Sequence, residues 1–305
     1  MKRRLKIVRN VFLILLVILA AGLLAVSRSK ALGLVHPVRT EPARTPDDAG
    51  IASWESVEFE TPDGLRLSGW YIPPDPASGG AALIYVHGLG NNRDHLLAEA
   101  GILHRHGYGG LLFDLRNHGA SEGELTTFGI DEVKDVRGAF DYLAGRPEVD
   151  PDRIGILGHS MGAAISLMAA ADIPTIKVVV SESAYANLQD NIDYSVEALT
   201  GLPAFPFADL IVFFAQNEAG FKVGDVSPID GLDRIVPRPI LFIQGRLDEK
   251  VHVDNAQWLF AAAGEPKEIY LIDDAMHRIN LVEADPEAFE RVLVAFLDRY
   301  LLTQD

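Results

Sequence analysis

The sequence predicts an α/β fold, in which a mostly parallel central sheet carries helices on both faces. From Leu83 onward, apolar segments of strand length alternate with segments rich in helix formers, as is typical of a parallel sheet covered by helices. Before them, residues 57–60 and 65–71 flank Thr61-Pro62-Asp63-Gly64. This turn sequence between two alternating segments predicts an antiparallel hairpin at the N-terminal edge of the sheet.

The most informative segment is Gly158-His159-Ser160-Met161-Gly162, which fits the pattern G-x-S-x-G. A short apolar run of strand character, residues 152–157, precedes it, and residues 163–171, rich in helix formers, follow it. A serine on a tight strand-to-helix turn is held in a strained backbone conformation that exposes its hydroxyl. The flanking glycines avoid the collisions that side chains would make at so sharp a bend. Ser160 is therefore predicted to be a nucleophile.

A serine nucleophile needs a base and an acid that orients the base, and both have candidates later in the chain. Asp248 follows one predicted apolar strand, and His277 follows the next. Both lie just past the carboxyl ends of strands, where open α/β sheets build their sites. The chain order Ser, Asp, His favours Ser160, Asp248 and His277 as a catalytic triad. Glu182, just past another predicted strand, is the alternative to Asp248.

In these motifs and their order, the chain resembles the α/β-hydrolase superfamily, and within it the serine aminopeptidase-like and Bem46-like group of serine hydrolases. Two further segments carry the resemblance, residues 87–92 and 114–121, each directly after a predicted strand. The resemblance implies the α/β-hydrolase fold, with a mostly parallel sheet, an antiparallel N-terminal edge hairpin, helices on both faces and a small helical lid. It implies very little about the substrate.

The same resemblance implies an oxyanion hole. Acyl transfer places negative charge on the former carbonyl oxygen, and two fixed backbone N–H groups stabilise that charge without reorganising. One donor is expected at Met161, the residue after the nucleophile, at the start of the following helix. The second is expected from the loop 87–90, at Leu89 or a residue next to it. The resemblance assigns structural roles to the side chains of His87, Asp114 and Arg116.

Residues 1–30 differ in kind from the rest of the chain. Five basic residues lie before or at the start of an apolar run within residues 7–26, and only two follow it closely. This pattern predicts a membrane anchor with the N-terminus inside and the catalytic domain extracytoplasmic. Ala25 and Ser27 also fit a signal-peptide cleavage pattern, so a cleaved signal and a secreted domain are the alternative.

Two further segments are assigned around the hydrolase domain, which is predicted at residues 55–305. Residues 31–54 contain several prolines and little periodicity, and they are predicted to form a linker or an arm on the domain surface. The segment at about 184–228 interrupts the sheet, and the resemblance implies that it forms the lid. Its apolar side chains pack the lid onto the domain, line an apolar substrate pocket or touch a membrane. Those singled out are Phe205, Phe207, Phe213 and Phe214.

Charge and composition exclude several classes of function. Outside residues 1–30 the chain has 20 basic and 43 acidic residues, a net charge of −23, so nucleic acid is not expected as a partner. Because the chain has no cysteine, thiolate metal sites and a cysteine nucleophile are excluded. No metal and no cofactor are expected: His104 and His106 face different sides of a helix, and Gly88-x-Gly90 lacks the rest of a dinucleotide-binding pattern.

The motifs together predict a serine hydrolase that cleaves carboxylic esters through an acyl-enzyme. Esters are favoured because an amine is a poor leaving group that demands more accurate protonation. Peptidase, thioesterase and acyltransferase activities on the same triad stay open. From a different class, a non-catalytic membrane-anchored binding module is the alternative. The expected partners are a small-molecule ester, with an apolar acyl chain as one option, and a membrane through residues 7–26.

Overall fold

The computed structural model describes residues 2–200, 203–277 and 281–302. Residue 1 of the predicted anchor, residues 201–202 of the predicted lid, and residues 278–280 and 303–305 of the predicted domain lie outside the described residues. The strands are β1 (Glu55–Glu60), β2 (Arg66–Ile72), β3 (Ala82–Val86), β4 (Gly109–Phe113), β5 (Ile154–His159), β6 (Val179–Glu182), β7 (Ile240–Gly245) and β8 (Lys267–Ile272). The helices are α1 (Lys2–Val35), α2 (Leu97–Arg105), α3 (Glu132–Ala144), α4 (Met161–Asp172), α5 (Leu188–Thr200), α6 (Ala204–Ala219), α7 (Asp254–Ala262), α8 (Leu281–Ala284) and α9 (Pro286–Leu297).

All these strands form one sheet in the order β1-β2-β4-β3-β5-β6-β7-β8. The first two pairings, β1 with β2 and β2 with β4, are antiparallel, and every later pairing is parallel. Across the hairpin, Glu60 lies opposite Arg66. The predicted fold class, a mostly parallel sheet with an antiparallel hairpin at its N-terminal edge, is confirmed.

The sheet is covered on both faces because successive side chains along each strand point to opposite sides. Ile84 and Ile156 contribute to one buried cluster, whereas Leu83, Tyr85 and Leu157 contribute to the other. The central strands β3, β4, β5 and β7 are buried along their whole length, as expected for parallel strands between two layers of helices. The carboxyl ends of these strands therefore meet at one edge of a rigid core.

α1 is one unbroken helix with two environments. Up to Val26 its apolar side chains are mostly exposed, and by length and composition it could cross a membrane or serve as a signal sequence. Its last turns instead pack against α6, where Ser27, Ala31 and Val35 are completely buried. The predicted boundary at residue 30 therefore falls inside a continuous helix.

The segment from His36 to the start of β1 lies on the domain surface and is attached there by hydrogen bonds. The Asn92 side-chain amide donates to the carbonyl of Thr40 at 3.1 Å. The backbone N–H of Ala43 donates to the carboxylate of Asp94 at 2.8 Å. These contacts hold the segment beside the loop that follows β3.

Candidate active site

Ser160 lies at the turn between β5 and α4 in a backbone conformation that side chains rarely adopt, with φ of 57° and ψ of −122°. The turn persists because the structure around it leaves no room for another path. A Cβ on Gly158 would lie 2.3 Å from the carbonyl oxygen of Gly162, and one on Gly162 would lie 2.0 Å from that of Val86. The two glycines thus let α4 start directly against β3, and the Ser160 hydroxyl projects from the sheet edge.

Ser160, His277 and Asp248 form one chain of hydrogen bonds across the sheet edge. The Ser160 Oγ lies 2.9 Å from His277 Nε2, and His277 Nδ1 lies 2.7 Å from Asp248 Oδ2. Since the Asp248 carboxylate only accepts, Nδ1 carries the proton in this arrangement and Nε2 is free to accept from the serine. The His277 ring is 11% exposed and the Asp248 side chain is fully buried. A buried carboxylate with a histidine between it and a serine is the arrangement that activates a hydroxyl nucleophile.

Asp248 is held by more than the histidine. Its Oδ1 accepts from the backbone N–H groups of Lys250 and Val251, each at 2.8 Å. Its Oδ2 also accepts from the Gln244 side-chain amide at 2.7 Å. These donors offset the cost of burying the carboxylate and fix its direction toward His277. Glu182 is buried at the end of β6, while the Nδ1 of His277 bonds Asp248.

In the loop after β3, the backbone N–H groups of Gly88 and Gly90 are engaged by histidine rings, whereas that of Leu89 is not. The Gly88 N–H donates to His95 Nδ1 at 3.3 Å, and the Gly90 N–H donates to His118 Nε2 at 3.1 Å. Within the described residues, no hydrogen bond is donated by the backbone N–H of Leu89 or of Met161. Both residues line the cavity that contains the Ser160 hydroxyl. The geometry therefore favours the N–H of Leu89 over those of Gly88 and Gly90 as the second oxyanion-hole donor predicted beside Met161.

His87 and His118 make structural hydrogen bonds that join this loop to the loop after β4. His87 Nδ1–H donates to the Gly88 carbonyl at 2.8 Å, and its Nε2 accepts from the Leu115 N–H at 3.0 Å. Burial lowers the pKa of His87 to about 4 and the pKa of His118 to about 3. Both rings are therefore neutral at neutral pH, as their acceptor roles require. Their contacts fit the structural role that the resemblance implied for His87.

Asp114 and Arg116 also make structural contacts. Asp114 accepts from the backbone N–H groups of Arg93 at 2.7 Å and Ala120 at 2.9 Å. Arg116 donates through Nε to the buried Asp135 at 2.8 Å. These bonds join the loop after β3 to the loop after β4 and to α3.

A cavity of about 1050 Å³ lies over Ser160 and His277. Its floor is the sheet edge with Leu89 and Met161, and its roof is formed mainly by α5 and α6 of the predicted lid. The roof contributes mainly apolar side chains, namely Leu188, Ile192, Val196, Phe207, Ile211 and Ala215. The last part of α1 forms a side wall of the cavity, which the sequence analysis did not predict. Pockets that are largely apolar with a few polar groups are typical of small-molecule sites.

The four lid phenylalanines do not share one environment. Phe207 lines the cavity, and Phe214 packs against the core. Phe205 and Phe213 are 77% and 55% exposed and line no part of the cavity. The four residues therefore fit different alternatives from the sequence analysis. Phe207 lines the pocket, Phe214 packs the lid onto the domain, and Phe205 and Phe213 are on the surface.

Two contributions to the site were missed from the sequence. The first is Gln244, which donates to Asp248. A lone polar residue near the end of an apolar strand is the sequence signal that could have indicated this role. The wall from α1 was missed because the small residues after the apolar run were interpreted as a cleavage pattern or linker. Within the part of the chain that the structure describes, no group of three or more His, Asp or Glu side chains could hold a metal ion.

The chain is similar in sequence and in structure to several known proteins. The chain is 29% identical over 254 residues to the Uncharacterized protein Rv2307c of Mycobacterium tuberculosis, covering 82% of this chain and 80% of that protein. It is 27% identical over 296 residues to Polyketide transferase ATR5 of Stachybotrys chlorohalonatus, covering 82% of this chain and 99% of that protein. An esterase of Pyrococcus furiosus has a similar structure, with a TM-score of 0.73, 27% sequence identity, and coverage of 88% of this chain and 98% of that one.

The family comparison covers more than half of the chain. Residues 43–218, from the surface segment into the lid, match the model of the X-Pro dipeptidyl-peptidase (S15) family. This stretch contains the loop after β3, the Ser160 turn and most of the lid, while Asp248 and His277 follow it. The chain thus belongs to the S15 family of the α/β-hydrolase superfamily and is a serine hydrolase of the esterase or peptidase type.

Proposed function

We propose that this protein hydrolyses carboxylic esters at Ser160. The observation that carries the proposal is the hydrogen-bonded chain from Ser160 through His277 to Asp248, at 2.9 and 2.7 Å, opening into a cavity with an apolar roof. A polar reacting group beneath an apolar roof suits an ester whose acyl part is apolar. The similarity to an esterase of Pyrococcus furiosus supports the same reaction class.

In the proposed mechanism, His277 Nε2 takes the proton from Ser160 as Oγ attacks the ester carbonyl. Asp248 keeps the proton on Nδ1 and stabilises the imidazolium that forms. The backbone N–H groups of Leu89 and Met161 donate to the oxyanion. His277 then protonates the departing alcohol, and a water molecule, activated by the same histidine, releases the acid and restores the serine.

A peptidase reaction on the same residues is the second candidate, because the matching family is described as X-Pro dipeptidyl-peptidase. The two candidates differ in the leaving group. A panel of p-nitrophenyl esters and an X-Pro p-nitroanilide, assayed with the same full-length preparation, separates them. Ester hydrolysis with no anilide cleavage is the expected result, whereas faster anilide cleavage would replace the ester proposal by the peptidase.

The catalytic assignment is tested with a fluorophosphonate probe and active-site variants. We expect wild-type protein to be labelled and Ser160→Ala to be unlabelled. His277→Ala and Asp248→Asn should each lower kcat by at least about 10³-fold. Glu182→Gln is the control for a buried carboxylate near the same edge and should fold and turn over esters. Loss of activity in Glu182→Gln with full activity in Asp248→Asn would move the acid role to Glu182.

We also propose that α1 is an uncleaved anchor, that the hydrolase domain at 55–305 is extracytoplasmic, and that residues 36–54, after the end of α1, join the two. The support is the basic N-terminal flank, the exposed apolar part of α1, and the burial of Ser27 and Ala31 beyond it. N-terminal sequencing of the membrane-bound protein should find the sequence before Ala25. A mature protein that begins after Ser27 and is released in soluble form would instead support the cleaved signal.

A further inference from the structure

The last part of α1 lines the cavity that contains Ser160. Six residues of this helix face it: Val26, Ser27, Ser29, Lys30, Gly33 and Leu34. The helix is held in place from both sides, since it packs along α6 and its end is bonded to the domain. The carbonyl of Val35 accepts from the Thr126 N–H at 2.9 Å, and His36 Nε2 lies 3.2 Å from the Glu218 carboxylate of α6. This wall is therefore a built part of the site.

The same helix fixes the height of the cavity relative to a bilayer. The apolar run at residues 7–26 forms about 30 Å of helix at 1.5 Å per residue, which matches the hydrocarbon core of a bilayer at about 30 Å. Val26 and Ser27, where the cavity wall begins, thus lie at the membrane interface when the exposed part spans the bilayer. Since α1 is unbroken, no flexible hinge separates the membrane from the cavity.

We infer that α1 is a substrate-binding element and that the cavity takes the acyl chain of a single-chain amphiphilic ester from the adjoining leaflet. This inference rests on the proposed function, namely that Ser160 is the reacting group and that α1 is an uncleaved anchor. A long acyl chain already dissolved in the bilayer reaches an apolar cavity at the interface without crossing water. Transfer of the chain through water would instead be disfavoured by a factor of about four for each exposed methylene.

Gly33 offers a direct test of the wall. It lines the cavity, and an added Cβ would meet no atom within 4 Å, so there is open space where a larger side chain begins. Gly22 is the matched control, because it lies in the same helix, also has open space around an added Cβ, and lines no part of the cavity. Both Gly33→Leu and Gly22→Leu replace a helical glycine by a better helix former.

The measurement is the labelling rate of full-length protein in phosphatidylcholine nanodiscs by an ethyl and a decyl fluorophosphonate. Gly33→Leu should lower the decyl-to-ethyl ratio at least tenfold, while Gly22→Leu keeps the wild-type ratio. The ratio cancels differences in serine reactivity, and the shared bilayer cancels partition of the probe. Equal ratios in all three proteins, or equal loss of both rates in Gly33→Leu, would overturn the inference.

A second arm identifies the source of the chain. In phosphatidylcholine vesicles, the total concentration of the decyl probe is held constant while the amount of lipid is varied. The labelling rate should then follow the mole fraction of the probe in the bilayer. A labelling rate that depends on the total probe concentration alone would overturn uptake from the leaflet. Both readouts use a probe of the serine rather than an ester, so failure of every ester substrate would reject the proposed function while leaving this inference tested separately.

Discussion

Replacing Gly162 by alanine should separate the two halves of the proposed oxyanion hole. A Cβ at this position would lie 2.0 Å from the Val86 carbonyl oxygen and 2.5 Å from the His87 carbonyl oxygen. Ordinary van der Waals contact begins at 3.4 Å, so β3 and the start of α4 must move apart by about 1.4 Å. That movement displaces the loop carrying Leu89 from the N–H of Met161.

The magnitude follows from this displacement. A misplacement of about 1 Å in a reacting geometry costs about 100-fold in rate, and loss of one oxyanion donor costs a similar factor or more. We therefore expect Gly162→Ala to lower kcat/KM for p-nitrophenyl acetate by 10²- to 10³-fold as an order-of-magnitude value. Overpacking at a buried contact should also cost about 1–3 kcal/mol of stability, which lowers the Tm by several degrees.

Alanine variants of two other glycines serve as comparisons, one with no expected effect and one with an intermediate effect. In Gly145→Ala the nearest atom to the new Cβ lies at 3.4 Å, and this position directly follows α3 and does not line the cavity over Ser160, so wild-type kinetics and Tm are expected. In Gly88→Ala the new Cβ lies 3.3 Å from the Ser160 Cβ, so an intermediate loss of activity is expected. Steady-state kinetics and thermal melts of all three variants give the order. A Gly162→Ala protein with wild-type kcat/KM and Tm would refute the reasoning.

The remaining predictions concern acid stability and the lid. Burial lowers the pKa of His87 to about 4 and that of His118 to about 3, from the ordinary value of 6.5. Below pH 6.5 these histidines therefore bind protons in the unfolded chain while they stay neutral in the folded chain. Their contribution to stability is complete above pH 6.5 and is lost as the pH falls toward 4, by about 2 kcal/mol per histidine at pH 5. Thermal melts at pH 7.5 and 5.0 measure this, and a His118→Gln protein that keeps the full wild-type pH dependence would contradict it. In the lid, Phe207→Ser should weaken turnover of long-chain esters relative to acetate, whereas the exposed Phe213→Ser should leave the chain-length profile unchanged. Equal profiles for the two variants, measured by kcat/KM over graded p-nitrophenyl esters, would count against the pocket role of Phe207.

Local patterns were enough to predict the sheet and the order of the proposed triad. Alternation of apolar strands with helix formers is set by backbone periodicity, so the mostly parallel sheet could be predicted before any contact was known. Ser160, Asp248 and His277 each follow a strand, and parallel strands bring their carboxyl ends to one edge. Their hydrogen-bonded chain in the structure agrees with that reasoning, and their catalytic role stays a prediction.

Contacts between residues distant in the chain decided the rest. Leu89 stands out from Gly88 and Gly90 only because the rings of His95 and His118 occupy the neighbouring amides, and no local pattern reports which amide a distant ring will occupy. The sequence by itself determined that the N-terminal segment is an apolar helix with a basic flank. Only the tertiary structure decided that this helix continues to Val35 and forms a wall of the cavity, because that wall depends on packing against α6, which begins only at Ala204.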